Sequence, residues 1–206
     1  MTGLARPLPA GRRHLDELAG PLAALREDAP RLEQWGRRLA GVLLAGGRLL
    51  AAGNGGSASQ AVHLTSELVG RYRDDRQPFS AIALCAETSA LTAIGNDYGI
   101  EEVFARQVRG HGRPGDVFVA LSTSGRSANV LAAVDAATDC TMVTWALSGR
   151  PGNPLAERCD DAVYVDSPHT ATIQEIHLIA VHVLCAAVDQ ALASGAPALM
   201  LAGGSS

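Results

Sequence analysis

The sequence is poor in aromatic residues, which make up 4% of its 206 positions. That leaves no platform on which the bases of a single-stranded nucleic acid could stack. It also has no Lys/Arg-rich block, and its formal net charge is −4, so the charge pattern does not point to a polyanionic partner. The four cysteines, Cys85, Cys140, Cys159 and Cys185, stand far apart and form no CxxC pair. Cys85 and Cys185 lie in apolar runs and read as small buried hydrophobes rather than catalytic thiols. The opening residues, MTGLARPLPAGRRH, lack the apolar run of a signal peptide, and no apolar stretch approaches transmembrane length without interruption. The expectation is a soluble cytoplasmic protein with one sizeable core and neither a nucleic-acid nor a membrane partner.

What is present is an alternation of short apolar segments with helical patterns. RLLAAG (48–53), FSAIAL (79–84), DVFVAL (116–121), TMVTWAL (141–147) and DAVYVD (161–166) each read as a strand bounded by turn residues. Being apolar on both faces, they predict a parallel sheet covered by helices. Helical periodicity runs over 57–71, 101–110 and 126–138, with Ser57 placed to cap the first and Arg126 or Ser127 near the start of the last. Residues 14–45 predict two helices broken near Ala29-Pro30, and 172–194 a long apolar helix suited to a core or a subunit interface. The fold expected is a single doubly wound α/β domain over 14–194, with a five-stranded parallel sheet and a helical N-terminal extension at 14–46. Residues 1–13 and 195–206, rich in small residues and proline, are expected to be flexible tails.

In such folds ligands bind outside the carboxyl ends of the strands. Two loops leave strands at that edge, Gly53-Asn54-Gly55-Gly56-Ser57 and LSTSGRSANV (121–130). Each joins small residues to a helix start, where exposed N–H groups and the helix dipole receive an anion. Ser122, Thr123, Ser124 and Ser127 add hydroxyl donors to the second. Gly53-x-Gly55-x-x-Ala58 also fits the dinucleotide fingerprint, but the acid that should hold the ribose about 20 residues on is missing; the first, Glu87, lies well beyond. Two such loops at one edge favour a phosphorylated small molecule over a nucleotide cofactor.

His63 and Glu67 stand four residues apart, on one face of the helix that leaves the first loop. Gln174, Glu175, His177 and His182 interrupt the apolar C-terminal helix. A histidine inside VHVLC is costly to bury without a partner. Periodicity aligns Glu175 best with His182, seven residues on, while Gln174 is turned from His182 by roughly 80°. Two histidines, a carboxylate and one further oxygen would suit zinc. Beside a phosphate cleft, such an ion could polarise a sugar carbonyl while a nearby Glu and His exchange a proton.

GNGGSASQAVHLTSELVGRY, AIGNDYG, LSTSGRSANV and TIQEIHLIAVHVL, taken in order, resemble the motifs of the phosphoheptose isomerases, members of the sugar-isomerase (SIS) domain family. The resemblance covers roughly residues 14–193. It implies a zinc-dependent aldose–ketose isomerase converting sedoheptulose 7-phosphate to D-glycero-D-manno-heptose 7-phosphate through an enediol. The implied zinc ligands, one ion per subunit, are His63, Glu67, Gln174 and His182, which selects Gln174 over Glu175. Asn54, Gly55, Gly56, Asn96 and Asp97 would line the sugar site together with Glu67 and Gln174, and Ser122, Thr123, Ser124 and Ser127 would hold the phosphate. Glu67 and His182 would be the catalytic acid and base. A homotetramer with active sites at subunit boundaries is also implied. One position departs from the pattern: many relatives carry a basic residue where Thr172 stands, while Arg126 puts a cation inside the serine loop.

Two other readings compete. An isomerase of another phosphosugar would share these motifs. A non-catalytic tetrameric scaffold of the same fold would share the loops, but the replication-associated relative of that kind lacks counterparts of Glu67 and His182.

Overall fold

The computed structural model describes residues 9–195; residues 1–8 and 196–206, most of both expected tails, lie outside the described residues. In chain order the elements are α1 (Ala10–Glu27), α2 (Ala29–Leu44), β1 (Leu49–Gly53), α3 (Gly56–Val69), β2 (Ala81–Ala83), α4 (Thr88–Tyr98) and α5 (Glu102–His111). They continue with β3 (Val117–Ser122), α6 (Ala128–Asp139), β4 (Val143–Ser148), α7 (Pro154–Arg158), β5 (Asp161–Tyr164) and α8 (Thr170–Ala193). All five expected strands are present in one parallel sheet, ordered β2-β1-β3-β4-β5. The first helix starts at Ala10, ahead of the expected boundary at 14. The N-terminal helices part at Asp28 because Pro30 lacks an N–H and its ring would clash with a continuing helix, whereas it is accommodated in the first turn of α2.

Two helices were not legible in the periodicity. α4 has no fully buried residue, and its short apolar stripe, Leu91 and Ile94 partly buried against the core, is interrupted by Thr, Gly and Asn; the Glu87 carboxylate starts it by accepting from the N–H groups of Ser89 and Ala90. α7 is a five-residue turn capped by the Asn153 side chain.

Alternate strand residues face opposite cores. Leu49, Ala51, Val117, Val119 and Leu121 join α2, α3 and α8 on one side, with α1 outside them. Leu50, Ala52, Phe118 and Ala120 join α5, α6 and α7 on the other. Trp35 of α2 stacks on Trp145 of β4 with ring centroids 4.8 Å apart, its indole N–H donating to Asp161 at 2.7 Å. α8 is, among the described helices, the one long and apolar enough by length and composition to cross a membrane, although Gln174, Glu175, His177 and His182 interrupt its apolar run. It packs along α2, α3 and α1, and its buried Ile173, Ile176, Val181, Leu184 and Val188 account for its apolar character as a core helix.

The order reverses at β1, which pairs with β2 on one side and β3 on the other. The carboxyl ends of β1 and β3 therefore open the crevice in which doubly wound sheets take their ligands.

Candidate active site

Both expected loops emerge at that crevice. The chain leaves β1 through Asn54 and Gly55 and turns at Gly55, whose φ of 54° starts α3 at Gly56. Ser57 is therefore not the cap. It lies inside the first turn, its N–H bonded to the Asn54 carbonyl at 3.0 Å. Neither α3 nor α6 has a side-chain cap, so N–H groups of both first turns are left for a ligand or water. The loops are tied together by a reciprocal amide pair. Asn54 Nδ2 donates to Asn129 Oδ1 at 2.8 Å, and Asn129 Nδ2 to Asn54 Oδ1 at 2.9 Å.

The serine loop is organised around Ser122. Its Oγ accepts from the Gly125 N–H at 3.1 Å and lies 3.4 Å from Ser124 Oγ and 3.3 Å from Ser127 Oγ. Gly125 has φ 63°, and a Cβ there would come within 2.0 Å of Asn153 Oδ1. Asn153 in turn accepts from Ser148 Oγ at 3.0 Å and from the Ala156 N–H at 3.2 Å. Thr123 and Ser124 line a polar cleft of about 450 Å³ with Arg126 and Arg150, and Arg150 pairs with Asp166 at 3.0 Å. Thr172 is fully buried and its hydroxyl has no partner among the described residues. Asn129 and Asn153 escaped the sequence reading, although SGRSAN placed an amide two residues beyond the last loop serine.

α3 and α8 pack together and bring three of the expected polar groups into one place. His63 Nε2 lies 2.8 Å from His182 Nε2, the rings edge to face, and 3.5 Å from Glu67 Oε1. His182 thus finds the partner its apolar neighbourhood demanded, and the Tyr72 ring tilts against it. The two candidates that periodicity left open on α8 diverge. The carboxamide of Gln174 stands over Gly56, where a Cβ would meet three of its atoms at 2.5 Å. Glu175 turns to α1 and accepts from His14 Nε2 at 2.8 Å, and its carboxylate raises the His14 pKa. His177 is fully buried with Nε2 at 3.1 Å from the Ser148 carbonyl, and burial lowers its pKa to about 4.

Among the described residues, no three His, Cys, Asp or Glu side chains form a ready-made metal cluster. The donor chemistry nonetheless fits zinc. The two imidazole nitrogens lie 2.8 Å apart, with a carboxylate oxygen 3.5 Å from that of His63. Tetrahedral bonds of 2.0–2.1 Å hold donors roughly 3.3 Å apart, so a small spreading of the pair would admit an ion.

A second cleft of about 520 Å³ opens between the first loop and α4, lined by Asn54, Gly55, Gly95, Phe104 and Asn129. Asn96 and Asp97 are exposed beside Gly95 and bond to each other at 2.9 Å. Cys85 is half-buried rather than buried and lines this cleft, its thiol donating to the Ala58 carbonyl at 3.4 Å. Burial raises its pKa, which disfavours the thiolate a nucleophile needs.

Parallel strands in this order, with two uncapped helix starts at the carboxyl edge, define a doubly wound α/β domain able to receive an anion at its switch point. Residues 14–149 match the SIS domain family. A phosphoheptose isomerase of Streptomyces coelicolor is 64% identical over 182 residues, covering 88% of this chain and 79% of that protein. Structures of phosphoheptose isomerases superpose with TM-scores of 0.80 for Francisella tularensis (35% identity) and 0.76 for Neisseria gonorrhoeae (39%). The first match covers 89% of this chain, the second 88%, and both cover all of the matched chain. The chain belongs to the SIS domain family and, within it, to the phosphoheptose isomerases, which makes it an enzyme of the isomerase class.

Proposed function

We propose that the protein is a zinc-dependent isomerase of sedoheptulose 7-phosphate, giving D-glycero-D-manno-heptose 7-phosphate. The observation that carries this reading is the meeting of His63, Glu67 and His182 from two helices, one of which begins in the first loop. His63, Glu67, Gln174 and His182 would hold one zinc ion, which would supply Lewis-acid polarisation of the sugar carbonyl.

The remaining roles fall to the protein's own groups. Ser122, Thr123, Ser124 and Ser127, with the first N–H groups of α6, bind the phosphate and place the other end of the sugar toward α3. Asn54, Gly55, Gly56, Asn96 and Asp97 orient the sugar. Glu67 takes the proton from one of the two adjacent carbons, C1 or C2, and returns it to the other. Its side chain is 17% exposed, and with Oε1 facing His63 the second oxygen is left for that transfer. His182 is the acid/base partner on the substrate oxygens.

The working form is a cytoplasmic homotetramer with active sites at subunit boundaries. Leu15, Leu22, Leu178 and Ile179 are exposed, and an apolar groove of about 520 Å³ runs between α1 and α8, faces that a second copy would cover.

The test is turnover of sedoheptulose 7-phosphate by purified protein before and after chelation, and again with zinc restored. Chelator-sensitive, zinc-restored formation of the heptose phosphate is expected. No turnover by zinc-loaded tetramer would move the assignment to another phosphosugar.

A further inference from the structure

We infer that Arg76, in the connection between α3 and β2, is a positioning residue that locks α3 against α8 so that Glu67 and His63 meet His182. The inference rests on the proposed roles of those three groups.

The Arg76 side chain is 12% exposed and its guanidinium donates four directional hydrogen bonds. Nε donates to Asp189 Oδ1 of α8 at 2.9 Å. Nη2 donates to the Glu67 carbonyl at 2.7 Å, and Nη1 to the carbonyls of Leu68 and Gln77 at 3.0 Å each. The Phe79 ring lies 5.2 Å beneath it. Glu67 and Leu68 are in the last turn of α3, where carbonyls lack intrahelical partners and a cation complements the dipole. Asp189 is seven residues beyond His182, two turns along the same face of α8. One rigid planar group therefore bonds the main chain of the proposed base and, through Asp189, the helix that carries its partner.

Charge neutralisation alone does not account for the arrangement. A partly buried ion pair is often no better for stability than an apolar pair of the same volume, and Asp189 Oδ2 is buried with no partner among the described residues. A guanidinium fork fixes distance and angle together, which neither an apolar pair nor an ammonium does. What depends on that precision is the 2.8 Å separation of His63 and His182, contributed by two different helices. Loss of groups that orient metal ligands weakens metal binding by about 10–100-fold, and a 1 Å misplacement slows chemistry by about 100-fold.

The experiment compares full-length wild type with R76M, R76K, D189L and the double variant R76M/D189L. The readouts are zinc affinity by competition with a chromophoric chelator, kcat and KM for sedoheptulose 7-phosphate, and Tm. R76M is expected to weaken zinc binding by about 10–100-fold and lower kcat by about 100-fold, with KM changed by less than about threefold because the serine loop is untouched. The double variant leaves neither charge unpaired. It should recover Tm but not zinc affinity or kcat, while R76K falls between wild type and R76M. A folded double variant with wild-type zinc affinity and kcat overturns the inference, leaving Arg76–Asp189 a purely structural pair. If R76M alone does not fold, the double variant and R76K decide by the same criteria. Wild-type protein that binds no zinc removes the metal reading and this inference together, whereas zinc-binding wild type with undisturbed variants removes this inference alone.

Discussion

Gly125→Ala probes how far the serine loop depends on its buttress. An L-residue at φ 63° costs about 1–2 kcal/mol in backbone conformation. The new methyl carbon would lie 2.0 Å from Asn153 Oδ1, against an ordinary contact of roughly 3.5 Å, so loop or buttress must move by more than about 1 Å. Moving Asn153 breaks its bond from Ser148 Oγ and its cap on Ala156, each contributing about 1 kcal/mol. The total is about 3–4 kcal/mol, a large share of the ~5–15 kcal/mol that holds a domain folded. Gly152→Ala is the control, because Gly152 has φ 73° but nothing within 4 Å of its added Cβ, and only the ~1–2 kcal/mol conformational cost applies. Urea unfolding of both variants gives the difference, and KM for the phosphosugar should rise about tenfold or more in G125A alone. Equal destabilisation of the two, or an unchanged KM in G125A, would refute the buttress argument.

Glu67→Gln keeps the shape and leaves the carbonyl that Arg76 holds, so stability should change by less than about 1 kcal/mol while turnover drops by at least about 100-fold; substantial residual turnover would take Glu67 out of the mechanism. Gly56→Ala forces the flexible end of Gln174 aside, so zinc affinity should weaken by about tenfold with little change in Tm. Unchanged affinity would show that Gln174 is not a ligand. Buried His177 has its pKa lowered to about 4 from an ordinary 6.5, so it is neutral when folded and takes up a proton on unfolding as pH falls below 6.5. Its stabilising contribution is complete above pH 6.5 and is lost between about 6.5 and 4. That contribution is on the order of 3 kcal/mol, and H177Q should show a flatter decline in unfolding free energy over that window.

The sequence was sufficient for whatever depends on near neighbours. The strands were legible because β1, β3 and β4 are buried throughout and so mostly apolar on both faces, and α3, α6 and α8 because their apolar residues recur at helical spacing. Both candidate ligand loops announced themselves through glycine and serine at strand ends, and His63 with Glu67 through their four-residue spacing. α4 was missed because its apolar stripe, Leu91 and Ile94, is short and only partly buried. What tertiary structure alone decided lies between segments remote in the chain: Asn54 with Asn129, 75 residues apart, His63 with His182, 119 apart, and Arg76 with Asp189, 113 apart. Periodicity fixes which face a side chain occupies, but not which other face it meets, and on α8 it aligned Glu175 with His182. Only the packing of α1 and α3 against α8 sends Glu175 to His14 and leaves Gln174 over Gly56. Local spacing carries no record of that packing, because the angle and depth at which two helices meet depend on side chains contributed by the whole core.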